Sequence, residues 1–516
     1  MPAWLSELLP ILILLVAVGI VFARLPRIDM GHSERYLSRR RWNWLPLGLT
    51  YAFLYMGRYN LKVANYAFEK LPGADGGVMM GNEAFGVIFG VGTVIYGISF
   101  VINGPLTDRF GGRFSILTGA FGAAIANLLM GLITWSLVVQ GTGYAFFARH
   151  FVLIFAVLYA ANMYFQSFGA VAIVKVNSGW FHVRERGVFG AIFGILISLG
   201  IYFAFDWGGL ILEHLGLVWV FFVPAVLLLI FWGLDVALVR NKPSEAGLED
   251  IPLGDATEGD EGPRLHPAKV FGKMLRNPII MTIAGIEFCS GWLRQAIMQW
   301  YGNYAKQTDA ALGLRDSFVN ENWGMLLCVA GILGGVVAGT ISDHVFKSRR
   351  GPVAALLYGV MLIGALVMVF AYTQPWVGWL VIVMSLAVIG VHGMLSGTAS
   401  MDFGGSKNAG IAVGLIDGFV YLGTGAMSFT YAYILPRVQV DAAGHLTGPA
   451  TDPGNWQAWP ISMVPLALVG LLLAWRIRDA RPGAKRPVAG SPADPRASCM
   501  RHPGGFVVDS AREIII

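Results

Sequence analysis

The chain has 516 residues, of which 56% are hydrophobic and only 13% charged, and its mean hydropathy is +0.62. Soluble domains carry about twice that charged fraction, so a string of water-soluble domains is excluded and the length reads as repeated membrane crossings. The net charge of +6 does not imply nucleic acid, because the basic residues stand in short loops between apolar runs.

The first apolar run is "WLSELLPILILLVAVGIVFA", residues 4–23. It lacks the basic segment of a signal peptide, is followed by Arg24 and Arg27, and reads as an extra N-terminal span that starts outside, the alternatives being a cleaved signal or an interfacial helix. A bilayer core of about 30 Å needs roughly 20 apolar residues per helix. Runs near that length follow at 44–66, 85–105, 114–135, 148–173, 187–206 and 217–239, then at 279–302, 321–342, 352–372, 376–398, 409–434 and 459–475. Between the two sets lies a polar, Gly- and Pro-containing stretch without apolar periodicity, which reads as a linker. The tail, rich in Pro, Ala, Gly and Arg, is expected to be disordered. The expected organisation is an N-terminal segment 1–43, a six-helix half 44–239, a linker 240–278, a second six-helix half 279–477 and a tail 478–516.

Lysine and arginine in short loops set orientation. They concentrate at Arg35, Arg39, Arg40 and Arg41, at Arg109 and Arg113, at Arg184 and Arg186, in the linker, and at Lys347, Arg349 and Arg350. The alternate loops, 67–84, 207–216 and 435–458, carry almost none. The pattern places the linker and C-terminus in the cytoplasm.

Two loops expose an internal repeat. "GPLTDRFGGR" (104–113) follows the second span and "GTISDHVFKSRRG" (339–351) the eighth. Each has a glycine (Gly104, Gly339), an acid four residues on (Asp108, Asp343), then bases (Arg109 and Arg113; Arg349 and Arg350). This resembles the major facilitator loop signature; its acid and bases can pair with neighbouring helix ends and latch one conformation, the alternative being an ordinary charged turn.

An arginine at the bilayer centre costs roughly 2.5–3.5 kcal/mol on insertion scales, so it needs a partner or a task. Arg58 lies deep in the first span and Arg294 deep in the seventh, at equivalent places in the repeat. Such positions converge near the midplane, where transporter sites lie. Tyr51, Tyr55 and Arg58 share one helix face, as do Glu287, Ser290, Gly291, Arg294, Met298 and Tyr301. Two guanidinium forks facing one cavity suit a dianion such as phosphate. The spans also hold Glu287 and Asp417, as counter-ions, proton carriers or substrate ligands. The alternative for the arginines is a structural pair with a buried acid.

These segments resemble the organophosphate:phosphate antiporters of the major facilitator superfamily over about residues 42–475. "YAFLYMGRYN" is similar to the family's first-helix segment, which implies that Arg58 binds phosphate with Tyr51 and Tyr55 beside it. "IYGISFVINGPLTDR" places Tyr96 on a cavity tyrosine. "FQSFGAVAIVKVNSGWFHVRERG" matches at Gln166, Trp180 and Glu185–Arg186–Gly187, while the family's Trp-Pro is absent. "WLRQAIMQWYGNY" puts Arg294 on the second phosphate arginine, and "SDHVFKSRRG" and "GSKNAGIAVGLIDGFVYLGTG" match the loop after helix eight and helix eleven, with Tyr421 aligned. The departures are Phe100 for a cavity lysine, Ile197 for a histidine, Val413 and Ile416 for an acid and a base, and Asp417 for the usual glycine. The cavity has lost positive charge and gained a negative one.

The resemblance implies an all-α polytopic membrane protein of the major facilitator fold, two six-helix bundles related by a pseudo-two-fold axis. It implies alternating access, with Arg58 and Arg294 clamping an anionic group, Tyr51, Tyr55, Tyr96, Tyr421 and Gln166 shaping the cavity, and Glu287 and Asp417 tuning charge. The expected function is exchange of a small organic phosphate for inorganic phosphate across the bacterial inner membrane by a monomer. The alternatives are a proton-coupled carboxylate carrier and a membrane sensor of sugar phosphate. Cys289, Cys328 and Cys499 have no disulfide or metal spacing. Without a metal cluster, nucleophile constellation or phosphate-cradling loop, neither metal, cofactor nor enzyme activity is expected.

Overall fold

The computed structural model describes residues 19, 30–74, 76–182, 185–252, 267–346, 350–396, 400–441 and 445–479. The span expected at 4–23, apart from Gly19, and the tail from 480 lie outside the described residues. Twelve long helices run up and down: α1 Glu34–Phe68, α2 Asn82–Phe110, α3 Gly112–Val138, α4 Phe151–Ser178, α5 Arg186–Tyr202, α6 Trp219–Leu238, α7 Pro278–Met298, α8 Trp323–Thr340, α9 Arg350–Ala371, α10 Val377–Met394, α11 Ser400–Ile434 and α12 Ala458–Arg476. Among the described residues, nine helices are long and apolar enough to cross a membrane. The long helices outside that set, α1, α7 and α11, carry Arg58 and Lys62, Glu287 and Arg294, and Asp417. Charges that lower the mean hydropathy of a span also mark where function sits.

Helix ends differ from the apolar runs for physical reasons. α1 starts ten residues before its run, at Glu34, where the Ser33 hydroxyl accepts from the Tyr36 amide at 3.2 Å. Hydropathy records only the part of a helix that lies in hydrocarbon, whereas the cap determines where the helix begins. The stretch 207–216, expected as a loop, is largely helical: α5 continues through a π-turn at Phe203–Trp207 into Gly208–His214. The expected seventh span breaks at Gln299–Trp300 and resumes as Tyr301–Gln307, which carries Tyr301 off the Arg294 face and against Trp323, ring centroids 4.7 Å apart.

The packing repeats with a shift of six helices. α1 packs on α4, α5 and α6, as α7 packs on α10, α11 and α12. α2–α4, α3–α4 and α3–α6 recur as α8–α10, α9–α10 and α9–α12. The two groups meet along α2–α11 and α5–α8, contacts that the same shift interchanges. Glycines set the closest approaches: a Cβ on Gly291 of α7 would lie 1.9 Å from the Val420 carbonyl oxygen of α11, and one on Gly423 would lie 2.0 Å from that of Phe288. Small residues let membrane helices approach backbone to backbone.

α6 ends and α7 begins at one end of the bundle, the linker end; the other is the far end. α5 and α8 touch at the far end, where Gly324 abuts Asp206 and Gly331 abuts Ser198.

Candidate functional site: a guanidinium pocket between the two halves

Arg58 is fully buried at the middle of the interface between the halves. Its Nε donates to Gln166 Oε1 of α4 at 3.1 Å and its Nη1 to the Tyr421 hydroxyl of α11 at 2.9 Å. The guanidinium carbon sits 4.4 Å from the Tyr55 ring centroid and 4.5 Å from that of Tyr96, within the range of cation–π attraction. Tyr51 packs edge-on against Tyr55 at 5.3 Å, and Tyr96 lies 4.1 Å from Tyr421. Arg294 of α7 is 7% exposed, and Tyr55, Tyr59 and Tyr421 are in electrostatic range of both arginines. Arg58, Arg294, Tyr51, Tyr55, Tyr96, Tyr421 and Gln166 are thus brought together.

The pocket is rich in donors. Arg58 Nη2, Arg294 Nε, Arg294 Nη2 and the Tyr96 hydroxyl are buried without a hydrogen-bond partner. Leaving a buried donor unsatisfied costs about 1–3 kcal/mol, more for a charged group. A ligand with several acceptor oxygens recovers that cost, and a phosphoryl group matches guanidinium forks.

Glu287 and Asp417 lie on the C-terminal side of the same pocket. Glu287 is fully buried; its Oε2 is 3.0 Å from His392 Nδ1 of α10, and its Oε1 has no partner. Asp417 accepts a hydrogen bond from the Ser396 hydroxyl and is in electrostatic range of His392, Glu287 and Arg294. Among the described residues no carboxylate reaches ion-pair distance of Arg58 or Arg294. The formal charges of Glu287 and Asp417 oppose those of Arg58 and Arg294. Phe100 stands edge-on to Tyr96 at 4.7 Å and stacked on Tyr421 at 5.9 Å, so the position of the family's lysine is part of the aromatic wall. Ile197 is half-buried and Val413 and Ile416 are buried.

Several residues escaped sequence reading. Behind Arg58 runs a buried amide chain: Gln166 Nε2 donates to Asn162 Oδ1 at 3.1 Å, Asn127 Nδ2 to the same oxygen at 3.1 Å, and Asn60 Nδ2 to Asn127 Oδ1 at 2.6 Å. Asn162 also donates to the Gly57 carbonyl at 2.9 Å, and the Tyr159 hydroxyl to that of Arg58 at 2.9 Å. Amides inside otherwise apolar runs were the available signal. His392, which links α10 to Glu287, carried a similar one.

At the far end a second polar cluster joins the halves. Lys62 donates to Asn303 Oδ1, Asn303 Nδ2 to Asn82 Oδ1 at 2.9 Å, Asn82 Nδ2 to Gln307 Oε1 at 2.9 Å, and Gln307 Nε2 to Glu69 Oε1 at 2.8 Å. Arg437 pairs with Glu83 at 2.8 Å. Asp206 accepts from the Gly324 and Met325 amides at 2.7 and 2.8 Å. These are the second and third residues of α8, whose own N-cap, Asn322, makes no side-chain cap, so the other half caps the helix.

The described loop-motif residues lie at the linker end, away from the pocket. Gly104 is buried within α2 rather than at a turn; the turn is made by Gly111, whose φ of +91° suits glycine. Asp108 accepts from Lys175 of α4 at 2.7 Å, and Arg113 donates to the Val236 carbonyl near the end of α6 at 2.7 Å. Arg109 is exposed, its guanidinium 5.2 Å from the Phe110 ring. Gly339 lies within α8 and Arg350 opens α9. Asp343 falls in a π-turn at Ile341–Val345, and Arg349 is outside the described residues.

A Major Facilitator Superfamily model matches residues 47–428. The chain is 28% identical over 416 residues to a glycerol-3-phosphate transporter of Bacillus subtilis, covering 76% of this chain and 83% of the relative. It is 26% identical to the membrane sensor protein UhpC of Salmonella typhimurium, covering 80% and 90%, and 24% identical to a probable hexose phosphate transport protein of Chlamydia pneumoniae, covering 73% and 79%. Among solved structures, a bacterial homologue of the lysosomal transporter Spinster superposes with a TM-score of 0.58 at 13% identity, covering 86% and 97%, and the nucleoside transporter NupG with 0.57 at 11%, covering 84% and 98%. The repeat-symmetric packing of twelve helices and the matched family model agree, and the chain belongs to the Major Facilitator Superfamily.

Proposed function

We propose that this membrane protein is a secondary carrier that moves a small phosphate ester across the bacterial inner membrane by alternating access, in exchange for inorganic phosphate. The observation that carries this reading is the pair of buried arginines at repeat-equivalent positions, with three guanidinium nitrogens that have no partner. The relatives named for glycerol-3-phosphate and hexose phosphate support the substrate class. In this reading Arg58 and Arg294 hold the phosphoryl oxygens from opposite halves. Tyr51, Tyr55, Tyr96 and Tyr421 line its approach, and Gln166 holds Arg58 in place. Glu287 and Asp417 determine how much negative charge the guest carries.

The physical cycle follows from differential affinity. Arg58 already bridges the halves through Tyr421; a phosphoryl group that reaches Arg294 as well adds a second bridge and favours the closed arrangement. Release at the far face requires the far-end cluster to separate, whereas at the linker end Asp108 and Arg113 tie together helices of one half; in this reading the loop motifs Gly104, Asp108, Arg109, Arg113 and Gly339, Asp343, Arg349, Arg350 steady the two halves as each moves. The basic loops support a cytoplasmic linker and C-terminus, and the arginines and their hydrogen-bond partners all come from one chain.

A second reading, a sensor, is favoured by the likeness to UhpC. Uptake of labelled glycerol-3-phosphate into phosphate-loaded proteoliposomes decides between them. Counterflow above protein-free vesicles supports the carrier, and saturable binding without flux supports the sensor. The buried Glu287–His392 pair leaves a proton-coupled carboxylate carrier as the outcome if uptake follows an imposed pH gradient instead of internal phosphate.

A further inference from the structure

We infer that the pocket has a second, cation-accepting subsite formed by Glu287, His392 and Asp417, and that the preferred guest is a zwitterionic phosphate ester with an ammonium group two or three carbons from the phosphate. This rests on the phosphate-ester reading above and names its substrate class.

Glu287 is fully buried, yet only one of its oxygens is hydrogen-bonded, by His392 at 3.0 Å; the other, like the hydroxyl of the adjoining Ser290, makes no hydrogen bond. Seven residues along the same helix, Arg294 has two nitrogens without an acceptor. The two residues are in electrostatic range, but no ion pair joins them. A buried charge without a partner costs several kcal/mol, so an arrangement that keeps an acid and a base apart with free atoms on each is complementary to a ligand bearing both signs.

Geometry sets the spacer. Residues seven apart on a helix are about 10 Å apart along the axis. Both side chains lean toward the helix N-terminus, and Arg294, the longer, extends further back along the axis than Glu287 does, so their ends lie closer than that and a short spacer suits the gap. Asp417, in electrostatic range of Glu287, His392 and Arg294, adds a second carboxylate to the same corner. Its Oδ1 is bound by the Ser396 hydroxyl.

Charge balance gives the same answer. The formal charges of Arg58, Arg294, Glu287 and Asp417 cancel, and Phe100 and Ile197 add none. A dianion with a neutral tail leaves the acid corner uncompensated, whereas a dianion with an ammonium satisfies both ends. An ammonium supplies three donors and no acceptor, which suits Glu287 Oε1.

The test is competition against labelled phosphate exchange in phosphate-loaded proteoliposomes at about pH 7.5, where an alkylammonium is protonated. The probes are 2-aminoethyl phosphate and its uncharged-tail counterpart, 2-hydroxyethyl phosphate. The amino compound is expected to inhibit at a concentration at least about tenfold lower. In E287Q that ratio falls to about one, and in D417N it falls part of the way. Equal potency of the two probes on wild-type protein that does exchange phosphate overturns the subsite and leaves the carrier reading standing. So does an E287Q ratio that stays at the wild-type value. Absence of exchange or binding with either probe and with phosphate, in folded protein, overturns the carrier reading itself. The wild-type comparison does not depend on either variant folding.

Discussion

Replacing Asp206 should release the far end of the interface. Its carboxylate accepts two backbone amides, from Gly324 and Met325, at 2.7 and 2.8 Å, and these are the orphan donors of the first turn of α8. Hydrogen bonds to a charged group contribute about 1.5–3 kcal/mol each. A carboxylate at a helix N-terminus gains up to about 2 kcal/mol more in a partly buried setting. Water can reach the amides once the helices part, so a net effect of about 2–4 kcal/mol on closure is reasonable for Asp206→Ala. At 1.4 kcal/mol per tenfold, that shifts the closed-to-open ratio by roughly 30- to 1000-fold. Asp206→Asn keeps an acceptor and loses the charge, so it should fall between. Pulsed electron–electron distance measurements read this directly, with spin labels on Thr142 in the α3–α4 loop and Gln374 in the α9–α10 loop, both exposed, after Cys289, Cys328 and Cys499 are replaced by Ser. The Asp206→Ala distribution should gain a longer component that Asp206→Asn shows more weakly. A distribution that superimposes on the parent's would refute the claim that this cap holds the halves together.

Other consequences follow from the same geometry. Gln166→Ala and Asn162→Ala should each slow exchange roughly tenfold by letting the Arg58 fork swing, with kcat/KM falling while the folded fraction in size-exclusion chromatography stays constant. Gly291→Ala forces a Cβ to 1.9 Å from the Val420 carbonyl oxygen, so α7 and α11 must separate. A loss of about 1–3 kcal/mol should appear as a lower melting temperature in detergent, and an unchanged melting temperature would count against the tight helix contact. Phe100→Lys puts a cation into the aromatic wall beside Tyr96 and Tyr421 and should raise the apparent affinity for inorganic phosphate about tenfold, measured by competition. A lower affinity would show that the position does not face the anion.

Periodicity and charge made much of this molecule legible. Apolar runs of near-bilayer length located the twelve long helices among the described residues, and the equivalent placement of Arg58 and Arg294 in the two repeats pointed to one pocket, because intramembrane charges are tolerated only where they have a task. Helix ends were less legible: α1 begins at Glu34 through a Ser33 cap in a polar segment that hydropathy does not register. The π-turn at Phe203–Trp207, which carries Asp206 to the start of α8, leaves no mark in an apolar pattern. Partner identity was the hardest. Glu287 stood out as a buried acid, but that His392 of α10 binds it, and that Gln307 lies against both Glu69 and Asn82, depends on which helices meet across the fold. The loop after α2 shows the same dependence: Gly104 stays inside α2, while Gly111, about two helical turns further on, takes the positive φ of the turn.

The most direct measurement of the central claim is exchange of external labelled phosphate by purified protein in phosphate-loaded liposomes, with Arg58→Lys and Arg294→Lys alongside. Lysine keeps the charge but loses the fork that two nitrogens of one guanidinium present to oxygens. The account predicts exchange by the parent and a loss of at least about 100-fold in each variant. Parental exchange that either lysine variant retains in full would contradict the claim that the two arginines jointly hold the transported phosphate.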